Sequence, residues 1–114
     1  MATTKLSDRT CVPCTARTKP LPNERAVALL PRVPGWTLAR NGRLRRTVRF
    51  EDFISLIEFV NELADLAEEQ AHHPDFKVHW TRLDIELFTH AIRGLTENDF
   101  ILAAKIDDLL GERA

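Results

Sequence analysis

Residues 51–74 read EDFISLIEFVNELADLAEEQAHHP, and this stretch dominates the secondary structure that the sequence predicts. Its apolar residues recur at steps of three and four, which is the spacing of one face of an α-helix. The predicted stripe consists of Phe53, Leu56, Ile57, Val60, Leu63, Ala64, Ala67 and Ala71. Pro74 is expected to end the helix and to leave His73 extended, because proline lacks an amide donor and pushes the preceding residue out of the helical region.

A pair of predicted strands lies on each side of this helix. Before it, two alternating runs at 36–40 and 44–50 are separated by Asn41-Gly42, a residue pair typical of tight hairpin turns. After it, two further alternating runs meet at a short turn near Thr81. Their apolar residues are Phe76, Val78 and Trp80 in the first run and Leu83, Ile85 and Leu87 in the second.

Shorter helical patterns complete the chain. Asn23 can cap a short helix that Pro31 and Pro34 stop, and Thr96-Glu97-Asn98-Asp99 resembles a capping box that opens a last helix before Gly111. The predicted order is α-β-β-α-β-β-α. This order indicates an α+β fold, a two-layer sandwich in which three helices cover one face of a four-stranded antiparallel sheet.

Length and composition are those of one ordinary globular domain. The chain has 114 residues, 44% of them hydrophobic and 29% charged, with a formal net charge of -1. This balance gives no general attraction to nucleic acid or to anionic lipid. No segment approaches the roughly 20 apolar residues that cross a bilayer, so we expect a cytoplasmic protein without a membrane partner.

Residues 1–20 are expected to form a flexible N-terminal tail, and 21–114 the folded domain, because the first segment lacks apolar periodicity. Cys11 and Cys14 lie in this tail with the two-residue spacing of some zinc and redox sites. A structural zinc site normally takes four ligands, and no second cysteine pair follows. The sequence therefore gives little support to a metal site or to a redox dithiol.

A run of arginines accompanies the first hairpin. Most of them fall on alternating sides of a strand, which is typical of a solvated strand face, and the chain lacks clustered aromatic residues for base stacking. Nucleic-acid binding is therefore not expected. The run consists of Arg40, Arg43, Arg45, Arg46 and Arg49.

All four histidines lie between positions 72 and 90. Imidazole both gives and takes a proton near neutral pH, so such clustering is typical of acid-base chemistry. Glu68 lies one helical turn before His72 and His73, where a carboxylate can orient an imidazole and tune its pKa. The alternative is that these histidines cap a helix end or are solvated on a strand.

The spacing of these residues resembles the signature of the pterin-4a-carbinolamine dehydratases. The residues that carry it are Glu68, His72-His73-Pro74, Trp80, His90 and Asp99. The resemblance extends from about Leu21 to the last helix and includes THAIRGLTENDF at 89–100. It implies dehydration of 4a-hydroxytetrahydropterin to quinonoid dihydropterin, which recycles the cofactor of aromatic amino-acid hydroxylases. No metal or organic cofactor is implied.

The resemblance also implies roles for individual residues. His72 and His90 are the expected general acids, one for each face of the pterin, and His73 chiefly binds the substrate. Glu68, Thr89 and Asp99 are expected to complete the substrate-binding set. We expect Asp99 to cap the last helix and also to support His90. Trp80 is expected either to line the pocket or to belong to the core.

Two further expectations concern assembly. Ile54, Phe59 and Leu66 lie off the predicted helical stripe, which favours a homodimer or homotetramer through the long helix or a strand edge, the alternative being ordinary packing within one chain. The second is the alternative function, a non-catalytic binding or assembly protein. Family members with degenerate active sites resemble binding proteins such as Rubisco assembly chaperones, and animal members also act as dimerisation partners of a transcription factor. The presence of His72, His73 and His90 favours catalysis.

Overall fold

One four-stranded sheet and three α-helices make up the computed structural model, which describes residues 5–113. The predicted order α-β-β-α-β-β-α and the α+β class are confirmed. Short 3-10 turns occur at Leu6–Asp8 and Leu30–Arg32. The main elements are α1 (Asn23–Leu29), β1 (Thr37–Leu38), β2 (Leu44–Arg49), α2 (Phe53–Gln70), β3 (Asp75–His79), β4 (Arg82–Leu87) and α3 (Glu97–Arg113).

The sheet has the order β1-β2-β4-β3, and all its pairs are antiparallel. Alternate residues of β4, namely Leu83, Ile85 and Leu87, are fully buried, whereas the residues between them are not. The helices therefore cover one face and leave the other open. Strand β3 forms an edge, and its Phe76 and Val78 lie on the covered side but remain 40% and 38% exposed.

The first hairpin turns at the predicted place. Gly42 has a φ of 81°, a left-handed value that glycine adopts without steric cost. The amide of Gly42 donates to the carbonyl of Ala39, and the amide of Ala39 donates to the carbonyl of Arg43. These two bonds align β1 with β2 in an antiparallel register.

Helix α2 begins at an aspartate cap and buries a stripe that differs from the predicted one. The amide of Ser55 donates to Oδ1 of Asp52, a bond that lowers the pKa of that carboxyl. Phe59 is fully buried and packs 5.5 Å from Phe50, so the prediction that it lies off the stripe is wrong. Phe53, expected on the stripe, is exposed. The buried residues are Leu56, Phe59, Leu63, Ala67 and Gln70.

Helix α2 ends at Gln70, before the proline that was expected to end it. Ala71 adopts a left-handed conformation with a φ of 51°. Its amide donates to the carbonyl of Glu68, while the amide of His72 donates to the carbonyl of Ala67. This pair of bonds is the usual left-handed closure of a helix end. It reverses the chain abruptly, so that His72 is buried while His73 is exposed.

The other helix ends also depart from the expectations. Asn23 is the first residue of α1 and makes no side-chain cap, since Pro22 occupies the capping position. Helix α3 continues through Gly111 to Arg113, so glycine does not terminate it. A glycine in a helix interior costs only about 1 kcal/mol relative to alanine, which the neighbouring turns can offset.

Residues 5–12 pack against α3, which differs from the flexible tail expected from their composition. Leu6 and Cys11 belong to the buried core, and Nζ of Lys105 donates to the carbonyl of Ser7 at 2.8 Å. Nη2 of Arg9 lies 2.8 Å from Oε2 of Glu97. The division of the chain at residue 21 stays a prediction. Among residues 5–113, no helix combines the length and apolar content needed to cross a bilayer.

Candidate active site

His72 is buried at the end of α2 and contacts the first turn of α3. Its Nε2 lies 2.6 Å from Oδ1 of Asp99. The side chain of Asp99 is fully buried, whereas the imidazole keeps a small exposed fraction of 8%. A buried carboxylate so close to a ring nitrogen fixes both the orientation of the imidazole and its preferred tautomer.

The second oxygen of Asp99 completes a buried polar network. Oδ2 accepts hydrogen bonds from Oγ1 of Thr89 and from the amide of Thr96, each at 2.9 Å. The two threonine hydroxyls lie 2.8 Å apart. The bond to the amide of Thr96 is the capping interaction that the sequence predicts, and it leaves Oδ1 free for the imidazole. Asp99 therefore supports His72, where the sequence led us to expect His90.

His73 points to solvent beside the last turn of α2. Its Nε2 forms a short hydrogen bond with Oε2 of Glu68, and both side chains are more than half exposed. The predicted pairing of Glu68 with an imidazole is therefore present, and the partner is His73. Because exposed ion pairs contribute little to stability, this contact orients a side chain more than it holds the fold.

His90 is held by an aromatic ring and by charged neighbours. Its imidazole stacks on Phe88 with ring centroids 4.2 Å apart, while the guanidinium carbon of Arg43 lies 3.7 Å from the centroid of the same ring. Nε2 of His90 lies 3.7 Å from Oδ1 of Asp75, and Nη1 of Arg43 lies 3.4 Å from Oδ2. Asp75 thus bridges the imidazole and the guanidinium, which restricts both side chains.

A short loop presents His90 at its tip. Thr89 and Gly94 form an isolated antiparallel bridge in which the amide of Thr89 donates to the carbonyl of Gly94 at 2.7 Å. Arg93 takes a left-handed φ of 51°, which tightens the loop. The bridge buries Thr89 against the aspartate network and leaves the next residue, His90, half exposed.

The three predicted site histidines meet at one cavity of about 270 Å³. His72, His73 and His90 line it together with Thr89. Glu68 and Asp99 lie behind His73 and His72 respectively. The remaining lining residues are Val12, Cys14, Ala71 and Ala91.

Two residues of the predicted cluster lie elsewhere. The fourth histidine, His79, lies across the sheet from the helices and has its Nε2 3.4 Å from Oδ2 of Asp84. Trp80 occupies the β3–β4 turn with a φ of 55° and is largely exposed, so it belongs neither to this cavity nor to the core.

A larger cavity of about 680 Å³ lies on the open face of the sheet. Its lining pairs basic with acidic side chains: Nη1 of Arg43 lies 3.3 Å from Oε1 of Glu86, and Nε2 of His79 lies 3.4 Å from Oδ2 of Asp84. Its only imidazole is that of His79. The smaller cavity combines three imidazoles with a buried carboxylate, so we assign the candidate site there.

The sequence missed several residues that shape this site. Arg43 was assigned to a solvated strand face, and Asp75 was not considered. The stacking of Phe88 on His90 could not be predicted, because no periodic pattern in the sequence indicates it. Val12 and Cys14 were placed in a tail away from the site. Within residues 5–113, no three histidine, cysteine, aspartate or glutamate side chains converge as metal ligands.

Comparisons with known proteins agree on one family. The family model described as pterin 4 alpha carbinolamine dehydratase matches residues 19–109. A Rubrobacter xylanophilus protein, provisionally named pterin-4-alpha-carbinolamine dehydratase, is 46% identical over 92% of this chain and 98% of its own length. The mitochondrial pterin-4-alpha-carbinolamine dehydratase 2 of Arabidopsis thaliana is 46% identical over 91% of this chain and 58% of its own length.

A solved structure shows the same fold. The crystal structure of a transcriptional coactivator/pterin dehydratase from Brucella melitensis matches with a TM-score of 0.75 at 28% identity. The match covers 80% of this chain and 98% of that chain.

Proposed function

The chain belongs to the pterin-4a-carbinolamine dehydratase family, and we propose that it dehydrates 4a-hydroxytetrahydropterin to quinonoid dihydropterin, recycling the pterin cofactor of aromatic amino-acid hydroxylases. One observation carries this proposal: three imidazoles line one cavity, and a buried carboxylate holds the most enclosed of them. Proton transfer near neutral pH is a chemistry that such a set can perform.

The reaction requires two proton movements. The 4a-hydroxyl oxygen takes up a proton, the carbon–oxygen bond breaks with its electron pair, and water leaves. A ring nitrogen of the pterin loses a proton as its lone pair forms the new carbon–nitrogen double bond. Atoms and charge balance without a redox partner. Imidazoles suit both steps, since their ordinary pKa lies near neutral pH.

His72 is the general acid that we assign to one face of the pterin. Its Nε2 is occupied by Asp99, so Nδ1 is the ring nitrogen that remains for the substrate. The carboxylate also stabilises the imidazolium that must form before the proton is delivered. The enclosed position of His72 excludes most competing water, which strengthens electrostatic interactions within the site.

His90 is the second acid, and His73 chiefly binds the substrate. His90 reaches the cavity from the 89–94 loop, whereas His72 enters from the end of α2. Acids on separate elements suit a substrate whose hydroxyl projects from either face of a flat ring. His73 is steadied by Glu68 and can donate a hydrogen bond from its other ring nitrogen.

The proposal includes a cytoplasmic location and self-association. Cys11 and Cys14 are free thiols, as expected in a reducing compartment. The β3 edge displays Phe76 and Val78, and the β3–β4 turn displays Trp80. An edge strand with exposed apolar side chains is an unfavourable surface for an isolated chain, so we propose that a second copy of the chain covers it in a dimer or tetramer.

The proposed function is tested by turnover of synthetic 4a-hydroxytetrahydropterin. We expect the purified protein to accelerate dehydration, and we expect treatment with EDTA to leave the rate unchanged because imidazoles supply both proton steps. His79→Ala is a matched control, since it removes a histidine outside the cavity. Absence of turnover would contradict the proposal and favour a non-catalytic binding role. Loss of turnover only after chelation would contradict the metal-free mechanism.

A further inference from the structure

Part of the lining of the cavity comes from a segment that precedes the residues matched by the family model. Val12 and Cys14 line the cavity together with His72, His73 and His90, whereas the match begins at residue 19. Residues 9–14 of this segment form neither a helix nor a strand. Its position must therefore come from side-chain contacts.

Asn98 provides the first of these contacts. Its Oδ1 accepts from the amide of Val12 at 2.9 Å, and its Nδ2 donates to the carbonyl of the same residue at 2.6 Å. Nδ2 also lies 3.1 Å from Sγ of Cys14. A buried amide that satisfies both backbone groups of one residue fixes that residue as a neighbouring strand would.

Gln70 provides a second contact, to the residue before Val12. Its Oε1 accepts from the amide of Cys11 at 2.9 Å, and Sγ of Cys11 donates to the carbonyl of Asn98 at 3.6 Å. Gln70 precedes His72 by two positions, and Asn98 immediately precedes Asp99. The two amides that hold the segment therefore belong to the same helix ends that hold the His72–Asp99 pair.

The backbone of Val12 is held by hydrogen bonds, whereas its side chain is exposed. The residue is 65% exposed, although its amide and its carbonyl are both hydrogen-bonded to the side chain of Asn98. An apolar side chain held rigidly at the rim of a cavity can be covered by a ligand at little cost in conformational entropy. A partly apolar bicyclic ring is a suitable occupant, because its faces need apolar contact while its edges meet the imidazoles.

We propose that Val12 and Cys14 form a substrate-contacting wall of the site and that Asn98 is the residue that positions this wall. The inference rests on the proposed function, since it names residues that contact the same pterin. It assigns a binding role to a segment that lies outside the matched family range. The wall binds the ring and takes no part in proton transfer.

Protection of Cys14 from alkylation tests the wall directly. Iodoacetamide adds to a thiolate as the carbon–iodine bond breaks, iodide leaves and the thiol proton passes to solvent. Burial raises the pKa of Cys11 to about 11, so Cys11 serves as an internal control with low reactivity near pH 8. Saturating 7,8-dihydrobiopterin is expected to slow alkylation of Cys14 at least about fivefold, as followed by peptide mass spectrometry.

The outcomes separate the wall from the proposed function. If fluorescence titration shows that 7,8-dihydrobiopterin binds while Cys14 is alkylated at an unchanged rate, the wall is overturned and the proposed function stands. If the pterin does not bind at all, both are overturned. Protection that follows the same concentration dependence as binding supports the wall.

Variants give an independent measurement. Val12→Ser is expected to raise KM several-fold with little change in kcat, because it removes contact made equally in the ground state and transition state. Asn98→Ala is expected to raise KM in the same way and to speed hydrogen exchange at the amide of Val12. Val27→Ser is the matched control, since Val27 is 52% exposed on α1, away from the cavity. A KM for Val12→Ser equal to that of the control would overturn the wall.

Discussion

Nε2 of His72 and Oδ1 of Asp99 lie 2.6 Å apart, and they join the end of α2 to the first turn of α3. The contact buries a carboxylate that also accepts from Thr89 and from the amide of Thr96. Asp99 therefore caps α3 with one oxygen and orients the imidazole of His72 with the other. A single residue thus couples the start of a helix to the orientation of the proposed acid.

Asp99→Asn is expected to lower turnover about 10²-fold, the lower end of what a general acid contributes. The amide keeps the shape of the carboxylate but removes the charge that stabilises an imidazolium at His72. Steady-state kinetics measures the change, with circular dichroism as the check on folding. Glu68→Gln is the matched control: it removes a charge from an exposed pair, and we expect mainly a rise in KM. Equal kcat losses in the two variants would contradict the special role of Asp99.

Cys11 is expected to make stability fall as the pH rises above 9. Burial raises its pKa from the ordinary value of 9.0 to about 11. Below pH 9.0 the thiol is neutral in both the folded and the unfolded chain. Between pH 9.0 and about 11 it ionises mainly in the unfolded chain, and this lowers the free energy of unfolding. The pH-sensitive part is on the order of 2 kcal/mol, since one pKa unit corresponds to about 1.4 kcal/mol.

Urea denaturation at pH 8 and at pH 11 measures this effect against Cys11→Ala. The variant is expected to be less stable than the wild type at pH 8 by about 1 kcal/mol, because it loses buried side-chain contacts. Its disadvantage should shrink or reverse at pH 11. Cys14→Ala is the control with a more exposed thiol. A constant difference between wild type and Cys11→Ala across this range would contradict the linkage.

The β3 edge is expected to form the interface between copies. Light scattering at micromolar concentration should give the mass of a dimer or tetramer for the wild type. Val78→Lys places a charge on the edge strand and should reduce the mass, since a lysine is a common means of preventing strand pairing. Val27→Lys makes the same change on an exposed position of α1 and should not. A monomeric wild type would contradict self-association, and an oligomeric Val78→Lys would exclude this edge.

The element order could be predicted from the sequence because periodicity reports which face of a helix or strand is buried. The hairpin at Asn41-Gly42 and the capping bond of Asp99 follow from local residue chemistry in the same way. The centre of the α2 stripe was misplaced, since apolar residues such as Phe53 and Phe59 occur on both sides of it and only tertiary packing selects between them.

The parts of the site that were missed depend on long-range contacts with no periodic pattern. Asn98 contacts Val12 across 86 positions of the chain through a side-chain amide. Arg43 reaches Phe88 through a guanidinium on an aromatic face, although a run of arginines also fits a solvated strand. The partner of Asp99 was misassigned for the same reason: the left-handed turn at Ala71 decides which imidazole points inward.

The most direct test of the account measures dehydration of the two 4a-hydroxy epimers separately, with His72→Ala, His90→Ala and His73→Ala. Each acid variant is expected to lose about 10²- to 10⁴-fold in turnover on mainly one epimer, and only the double variant His72→Ala/His90→Ala should lose both. His73→Ala should mainly raise KM. Near-wild-type rates on both epimers for all three single variants would contradict the account, and a binding protein would then explain the fold better.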